Sequence, residues 1–80
     1  MAVRKKNVEL TGSVTAFDWD DDNKVNRVSL CVDDDEYLID NDSLGEELLK
    51  LINTKIKVKG KSYLDENKNY CLKLEEFIIL

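Results

Sequence analysis

This sequence of 80 residues contains no histidine, no proline and only three glycines. Without histidine, no imidazole is present to serve as a general base or to activate a nucleophile. Without proline and with so little glycine, long flexible linkers are not expected, and each glycine is expected to have a positional role. No apolar run approaches the ~20 residues that a membrane-spanning helix needs. The carboxylates cluster in turns, so we predict neither an enzyme nor a membrane protein, and no metal or cofactor.

Cysteine is also scarce, with only Cys31 and Cys71. Their spacing resembles neither a disulfide framework nor a zinc site. We interpret them as reduced, packed thiols in a cytoplasmic protein, with a functional pair as the alternative. The basic start of the chain is not followed by an apolar segment, so no signal peptide is predicted. We predict a single domain over residues 1–80, with residues 1–5 as a flexible N-terminal tail.

Charge is abundant and unbalanced, with a formal net charge of -5. A negative protein attracts nucleic acid and anionic lipid poorly, although a local basic patch can still bind them. The hydrophobic content of 42% is enough to build a core, so we predict a folded chain.

The clearest pattern lies in Thr54–Leu64, where Ile56 and Val58 alternate with lysines. A period of two predicts a strand with one buried and one wet face. The same reasoning predicts three further strands, with Leu72 and Leu74 of the last facing the core and Cys71 outside. A short apolar run predicts another strand, the third in the chain, in which Tyr37, Leu38 and Ile39 are consecutive, so the pattern leaves open which of them faces inward. The ranges are Lys6–Phe17, Lys24–Val32, Glu36–Asp40 and Tyr70–Leu80.

Interruptions of the alternation predict irregularities in the first and last strands. Gly12 sits inside an otherwise regular strand and predicts a bulge or sharp bend, and the slip at Glu75-Glu76 predicts a second bulge. Between the second and third strands, Asp33-Asp34-Asp35 predicts a tight hairpin turn.

One stretch, Ser43–Ile52, changes to a helical period. Leu44, Leu48 and Leu51 fall on one stripe, and Ser43 with Glu46 fits a capping box. We therefore predict a single helix between the third and fourth strands, ending near Asn53.

Five strands with a helix after the third are typical of a Greek-key barrel. The sequence also resembles the oligonucleotide/oligosaccharide-binding (OB) fold in short motifs. Leu10-Thr11-Gly12-Ser13-Val14 resembles its first-strand L-x-G-x-V, and Val58-Lys59-Gly60 its fourth-strand V-x-G. The run from Ser43 through Gly60 is similar to small stand-alone bacterial OB proteins. The resemblance implies an all-β, five-stranded OB barrel in which the first-strand glycine lets that strand curl and serve both sheets.

The resemblance also implies a binding site on the outer face of the second and third strands, between the loops Asp18–Asn23 and Asp65–Asn69. Candidate ligand-face residues there are Phe17, Trp19, Arg27 and Tyr37. Aromatic side chains at such positions stack on bases. The alternative is that they are core or loop-anchoring aromatics.

A basic stripe is the second candidate feature. Its members are Lys55, Lys57, Lys59, Lys61 and, on the adjoining last strand, Lys73. It is interpreted either as a binding surface for phosphate or an acidic protein, or as solvated strand residues paired with Glu9 and Glu75.

Two functions remain open. The first is a non-catalytic protein-interaction or adaptor module, whose acidic turns, grouped at one end, and exposed aromatics meet a basic partner. The alternative is a single-stranded nucleic-acid-binding protein that uses the lysines and aromatics. The spacing of Asp18, Asp20 and Asp22 resembles the start of a calcium loop. Asn23 and Ser29 occupy its glycine and glutamate positions, so we interpret the segment as a solvated turn.

Overall fold

The computed structural model describes residues 5–80, so residues 1–4 of the predicted tail lie outside the described part. The observed elements are β1 (Lys6–Trp19), β2 (Val25–Val32), β3 (Asp35–Ile39), α1 (Ser43–Leu48), β4 (Lys55–Leu64) and β5 (Tyr70–Ile79). The predicted all-β class and the helix between the third and fourth strands are confirmed. No helix within residues 5–80 has the length and apolarity needed to cross a membrane.

The strands close into a ring in the order β1-β2-β3-β5-β4, with β4 pairing back onto β1. All neighbours are antiparallel except β3 and β5, which run parallel over a short ladder. The β2–β3 turn is shorter than predicted, because Asp35 already pairs with Val32. Asp33 takes a φ of 53°, a left-handed conformation that aspartate tolerates in tight turns.

Strand β1 closes the ring by changing partners halfway along its length. Residues Lys6 to Ser13 pair with β4, and residues from Ser13 onward pair with β2. At this crossing a Cβ on Gly12 would overlap the backbone carbonyl oxygen of Cys31. Only glycine allows the two backbones to approach so closely.

Of the two alternatives predicted at Gly12, a bulge or a sharp bend, the bulge is wrong, because the β1–β4 register is continuous through that residue. The bulge lies instead at Phe17, which has no partner between Ala16 and Asp18. Alternation alone cannot separate a bend from a bulge, since both need only one residue that departs from the regular ladder. The bulge predicted at the other end of the sequence is confirmed: Lys59 pairs with Glu76 and Gly60 with Leu74, which leaves Glu75 unpaired.

The core lies inside the ring and confirms the predicted inward residues of β4 and β5. Ile56, Val58 and Leu72 are fully buried. The complete cluster is Val14, Val28, Leu30, Ile39, Leu48, Ile56, Val58, Leu72 and Leu74. Burial of this kind stabilises the fold by about 25 cal/mol per Å² of apolar surface.

Helix α1 is shorter than predicted, and its cap differs. It ends at Leu48 because the following residues form turns, and the amide of Thr54 donates to the carbonyl of Leu51. The N-cap is Asp42, whose carboxylate accepts from the Gly45 amide at 3.0 Å, so the predicted Ser43–Glu46 capping box is wrong. Aspartate and serine are both preferred N-cap residues, so the sequence alone cannot choose between Asp42 and Ser43. The choice follows from the helix beginning at Ser43, which makes Asp42 the N-cap.

Two of the turns share one hydrogen-bond pattern. In the β1–β2 turn, Asp20 Oδ1 accepts from the amides of residues 22 and 24, and in the β4–β5 turn Asp65 Oδ1 accepts from residues 67 and 69. The fourth position is left-handed in both, with φ of 62° at Asn23 and 63° at Lys68. Asparagine tolerates that conformation, and lysine is strained in it.

We expect Gly12→Ala to destabilise the protein by about 1–3 kcal/mol, because the added methyl group forces β1 and β2 apart. Urea unfolding monitored by circular dichroism measures the change. The neighbouring exposed substitution Ser13→Ala is the control, and its effect should stay within about 0.5 kcal/mol. Equal free energies of unfolding for the two variants would contradict the close approach.

The β1–β2 and β4–β5 turns have the same geometry, so substitutions in the two turns should have opposite effects. Lys68→Asn should stabilise the protein by about 0.5–1 kcal/mol, because asparagine accepts the left-handed backbone at lower cost. Asn23→Lys in the matching turn should lower the free energy of unfolding by a similar amount. A stabilising effect of both substitutions, or of neither, would show that the backbone at these positions does not control stability.

Candidate binding surface

The outer face of β2 and β3 carries a row of side chains that continues around the ring. Each member pairs with the next across a ladder: Thr15, Ser29, Leu38, Cys71 and Tyr63. Three of them, Ser29, Leu38 and Cys71, are buried, yet none belongs to the core cluster inside the ring. They are therefore covered from outside, by their own neighbours on this face.

Hydrogen bonds satisfy the buried hydroxyl of Ser29. Ser29 Oγ donates to Glu36 Oε2 at 2.9 Å and lies 2.8 Å from Thr15 Oγ1. Thr15 Oγ1 also lies 3.5 Å from Cys31 Sγ. A buried hydroxyl without such partners would cost about 1–3 kcal/mol. The network crosses β1, β2 and β3, and sequence reasoning missed it because alternation puts Ser29 on the face opposite Val28 and Leu30 but cannot show that this face is covered.

A second polar group lies further along the same face. Arg27 Nε donates to the carbonyl oxygen of Ile39 at 3.3 Å, and the Tyr63 hydroxyl donates to Asp40 Oδ1. Burial, with the Asp40 hydrogen bond as the next cause, raises the pKa of Tyr63 well above its usual value, so the phenol stays neutral. Lys5 Nζ lies 5.8 Å from the centre of the Tyr63 ring, within cation–π range.

The thiol of Cys71 is buried on this face, contrary to the prediction that it is exposed. Its Sγ lies 3.7 Å from both Asp65 Oδ2 and the Asn69 carbonyl oxygen, because the β4–β5 turn folds over it. Burial, and then the charge of Asp65, raise the pKa of Cys71 and keep the thiol protonated. A protonated, covered thiol is a poor nucleophile.

The candidate aromatics do not form one surface. Phe17 and Trp19 are exposed at the bulged end of β1, with Trp19 52% accessible. Tyr37 pairs with Leu30, packs against the core from inside, and lies 5.6 Å from the ring of Tyr70. Tyr37 is therefore placed away from the outer face, which the sequence could not decide because Tyr37, Leu38 and Ile39 are all apolar.

A trough of about 600 Å³ lies between the β1–β2 turn and helix α1. Asp20, Glu46 and Glu47 line it, together with Lys24 and Lys50. Its wall also includes Val25, and the ladder partner of Val25 is Trp19, so the end of β1 at Trp19 adjoins this wall although Trp19 does not line the trough itself. No pattern in the sequence joins these segments, because the turn and the helix are distant along the chain.

The lysine stripe is partly neutralised by carboxylates on both neighbouring strands. Lys57 Nζ lies 2.6 Å from Glu9, and Lys59 Nζ lies 3.4 Å from Glu76. The predicted partner Glu9 is confirmed, while Glu76 takes the place of Glu75 because of the bulge. Such exposed pairs contribute about 0–1 kcal/mol each.

The remaining lysines of the stripe, Lys55, Lys61 and Lys73, are exposed and form no ion pair with any residue in 5–80. Lys61 and Lys73 are direct partners in the β4–β5 ladder. Like charges opposite each other destabilise a sheet slightly and favour the approach of an anion.

The prediction that the acidic turns are grouped at one end of the barrel is wrong. The Asp20 turn follows β1, whereas the Asp33-Asp34 turn lies at the far end of β2. A strand of 8 residues separates them. Successive turns between antiparallel strands fall alternately on the two ends of a sheet. Two turns separated by a single strand therefore lie at opposite ends, whatever their composition.

Within the described part of the chain, no three His, Cys, Asp or Glu side chains are grouped as a metal site requires. No family model, curated protein or solved structure matches this chain.

Acidification should reveal the role of Asp65. Backbone hydrogen bonds, first from Asn69, hold the pKa of Asp65 below its usual value. A depressed native pKa gives stability that is complete above the unfolded value of about 4 and is lost as pH falls through the native one. We therefore expect Asp65→Asn to lower the free energy of unfolding at neutral pH, with the difference from the parent shrinking in acid.

Urea unfolding across a series of pH values measures this difference. The control is Glu66→Gln, which removes the same charge from the same turn without losing a hydrogen bond described there. A constant gap between the Asp65→Asn variant and the parent at every pH would contradict the linkage.

Proposed function

We propose that this protein is a non-catalytic binding module of the OB class, a small Greek-key barrel that acts as a protein-interaction or adaptor domain for a basic partner segment. The closed ring of five strands and the helix between β3 and β4 support the fold assignment. The two motif glycines support it further, since a Cβ on Gly12 or Gly60 would overlap the backbone of a neighbouring strand.

The observation that carries the functional proposal is the surface around Trp19. The exposed Trp19 is the ladder partner of Val25, which lines a trough together with Asp20, Glu46 and Glu47 and with the lysines Lys24 and Lys50. A basic side chain entering there gains carboxylate contacts and a cation–π contact of about 0.5–1 kcal/mol. Asp21 and Asp22, exposed on the adjoining turn, add negative potential that steers a cationic partner toward the trough.

Single-stranded nucleic-acid binding is the second candidate, and one observation favours it. Lys61 and Lys73 face each other without carboxylate partners among residues 5–80, so their charges are available to phosphate. Lys57 and Lys59 favour it less, because Glu9 and Glu76 neutralise them locally. The net charge of -5 opposes this candidate at long range.

Fluorescence of Trp19, the one tryptophan in the sequence, separates the two functions. Oligolysine and oligothymidylate are titrated separately at low and at high salt. We expect oligolysine to change the emission at low salt and to lose affinity as salt rises, because the contacts are largely electrostatic. Emission unaffected by oligolysine at low salt would contradict the proposed function.

Variants test whether oligolysine binding depends on the carboxylates of the trough. Glu46→Gln with Glu47→Gln should weaken oligolysine binding about 3- to 10-fold, the cost of two partly exposed charge contacts. The matched control is Glu66→Gln with Glu75→Gln, which makes the same charge change outside the trough and should leave affinity nearly unchanged. Oligothymidylate binding that is lost on Lys61→Gln with Lys73→Gln would instead support the nucleic-acid candidate.

A further inference from the structure

The ladder between β3 and β5 is the shortest in the closed ring. Within residues 5–80 it joins two residue pairs, Leu38 with Cys71 and Ile39 with Leu72, whereas the next shortest ladder, β2–β3, joins four. It is also the one parallel pairing among these strands, and parallel pairing is slightly less stable per residue than antiparallel pairing. The seam between β3 and β5 is therefore the place where the ring separates at the lowest cost.

Contacts outside the ladder also bridge this seam. The Tyr63 hydroxyl, which β4 holds beside β5, donates to Asp40 Oδ1 directly after β3. The Asp40 amide donates to the carbonyl oxygen of Leu72 at 2.9 Å. The rings of Tyr37 on β3 and Tyr70 on β5 lie 5.6 Å apart. Separation of β3 from β5 breaks all three contacts, so each of them helps to keep the seam closed.

Strand β3 is held more firmly to β2 than to β5. The two strands form a hairpin with an antiparallel ladder, and Arg27 Nε of β2 donates to the carbonyl oxygen of Ile39 at 3.3 Å. Strand β5 is in turn held by β4, because their ladder extends along β5 from Tyr70 to Ile79. Opening of the seam therefore moves the β2–β3 hairpin away from β5 and leaves the other ladders in place.

Cys71 lies at this seam. Its ladder partner Leu38 is on the opposite side of the seam, the Asp65 turn covers its thiol, and the residue is 2% accessible. We propose that the seam opens without unfolding of the rest of the barrel, that the Tyr63–Asp40 hydrogen bond is its latch, and that Cys71 reacts with disulfide-containing molecules only in the open state. The fold then contains a redox-sensitive switch.

The chemistry of the switch is thiol–disulfide exchange. In the open state the Cys71 thiol releases its proton to solvent, and its sulfur attacks one sulfur of the disulfide. A mixed disulfide forms, the original disulfide bond breaks, and its other sulfur leaves as a thiolate. The closed protein leaves almost no space at Cys71, so the attached group prevents β3 from returning to β5.

Labelling of the full chain with an aromatic disulfide tests the proposal, with Cys31→Ser leaving Cys71 as the one thiol and absorbance measuring the released thiolate. Below the urea concentrations that unfold the protein, Cys71 should react more slowly than the thiol of a short unstructured peptide. The opening free energy from this ratio should be smaller than that of global unfolding and should depend less on urea. Labelling as fast as the peptide would overturn the proposal, as would an opening that equals global unfolding in both quantities.

Variants test the latch. Tyr63→Phe should speed the labelling about 3- to 10-fold, the factor expected when closing forms one hydrogen bond fewer. The matched control Tyr70→Phe removes a hydroxyl from an exposed ring, 51% accessible, and should leave the rate unchanged. Val58→Ala lies in the core between partners on β1 and β5, so it should lower global stability without changing the rate. An unchanged rate in Tyr63→Phe would overturn the latch, and faster labelling in Val58→Ala would overturn local opening.

Amide hydrogen exchange separates opening of the seam from opening of the β4–β5 turn, which also covers Cys71. The Asp40 amide donates across the seam, so it should exchange with the same opening free energy as the labelling of Cys71. In the labelled protein this amide should lose its protection. An Asp40 amide that exchanges only by global unfolding would assign the opening to the turn and overturn the proposal. Protection of Asp40 that persists after labelling would overturn the switch.

Discussion

Strand β1 must belong to two ladders at once, and the closed ring depends on this constraint. Its first half pairs with β4 and its second half with β2, with the change at Ser13. The backbone of β1 passes under the Cys31 carbonyl at Gly12, where any side chain would collide. Without this crossing β4 would have no partner on the edge that faces away from β5. Ile56 and Val58 would then lose part of the packing that buries them.

The crossing also determines where charges meet. Because β4 lies between β1 and β5, its outward lysines are flanked by residues of both strands, and Lys57 and Lys59 find Glu9 and Glu76 there. The far end of the same row has no carboxylates opposite it, so Lys61 and Lys73 stay unpaired among the described residues. One alternating sequence thus becomes a neutral segment and a basic segment.

The polar groups on the outer face of β2 and β3 are largely occupied by one another. Ser29 bonds to Glu36 and Thr15, Tyr63 bonds to Asp40, and Arg27 bonds to a backbone carbonyl. Buried polar groups that are satisfied in this way make the sheet rigid and leave few donors for a ligand. The large apolar side chains that stay exposed lie mostly at the ends of strands, at the bulged end of β1 and at the end of β5.

The alternation of apolar and polar residues was sufficient to predict β1, β2, β4 and β5, the inward residues of β4 and the bulge at Glu75, because a period of two is local. A short apolar run between polar turns predicted β3 without its facing. Alternation could not predict that Ser29 and Cys71 are covered from outside, that Tyr37 packs inward, or that Asp42 rather than Ser43 caps α1. Those outcomes depend on which strands become neighbours and on where a turn folds back, and residues distant in the chain set both. The trough beside Trp19 has the same origin, since it exists only where the β1–β2 turn meets α1.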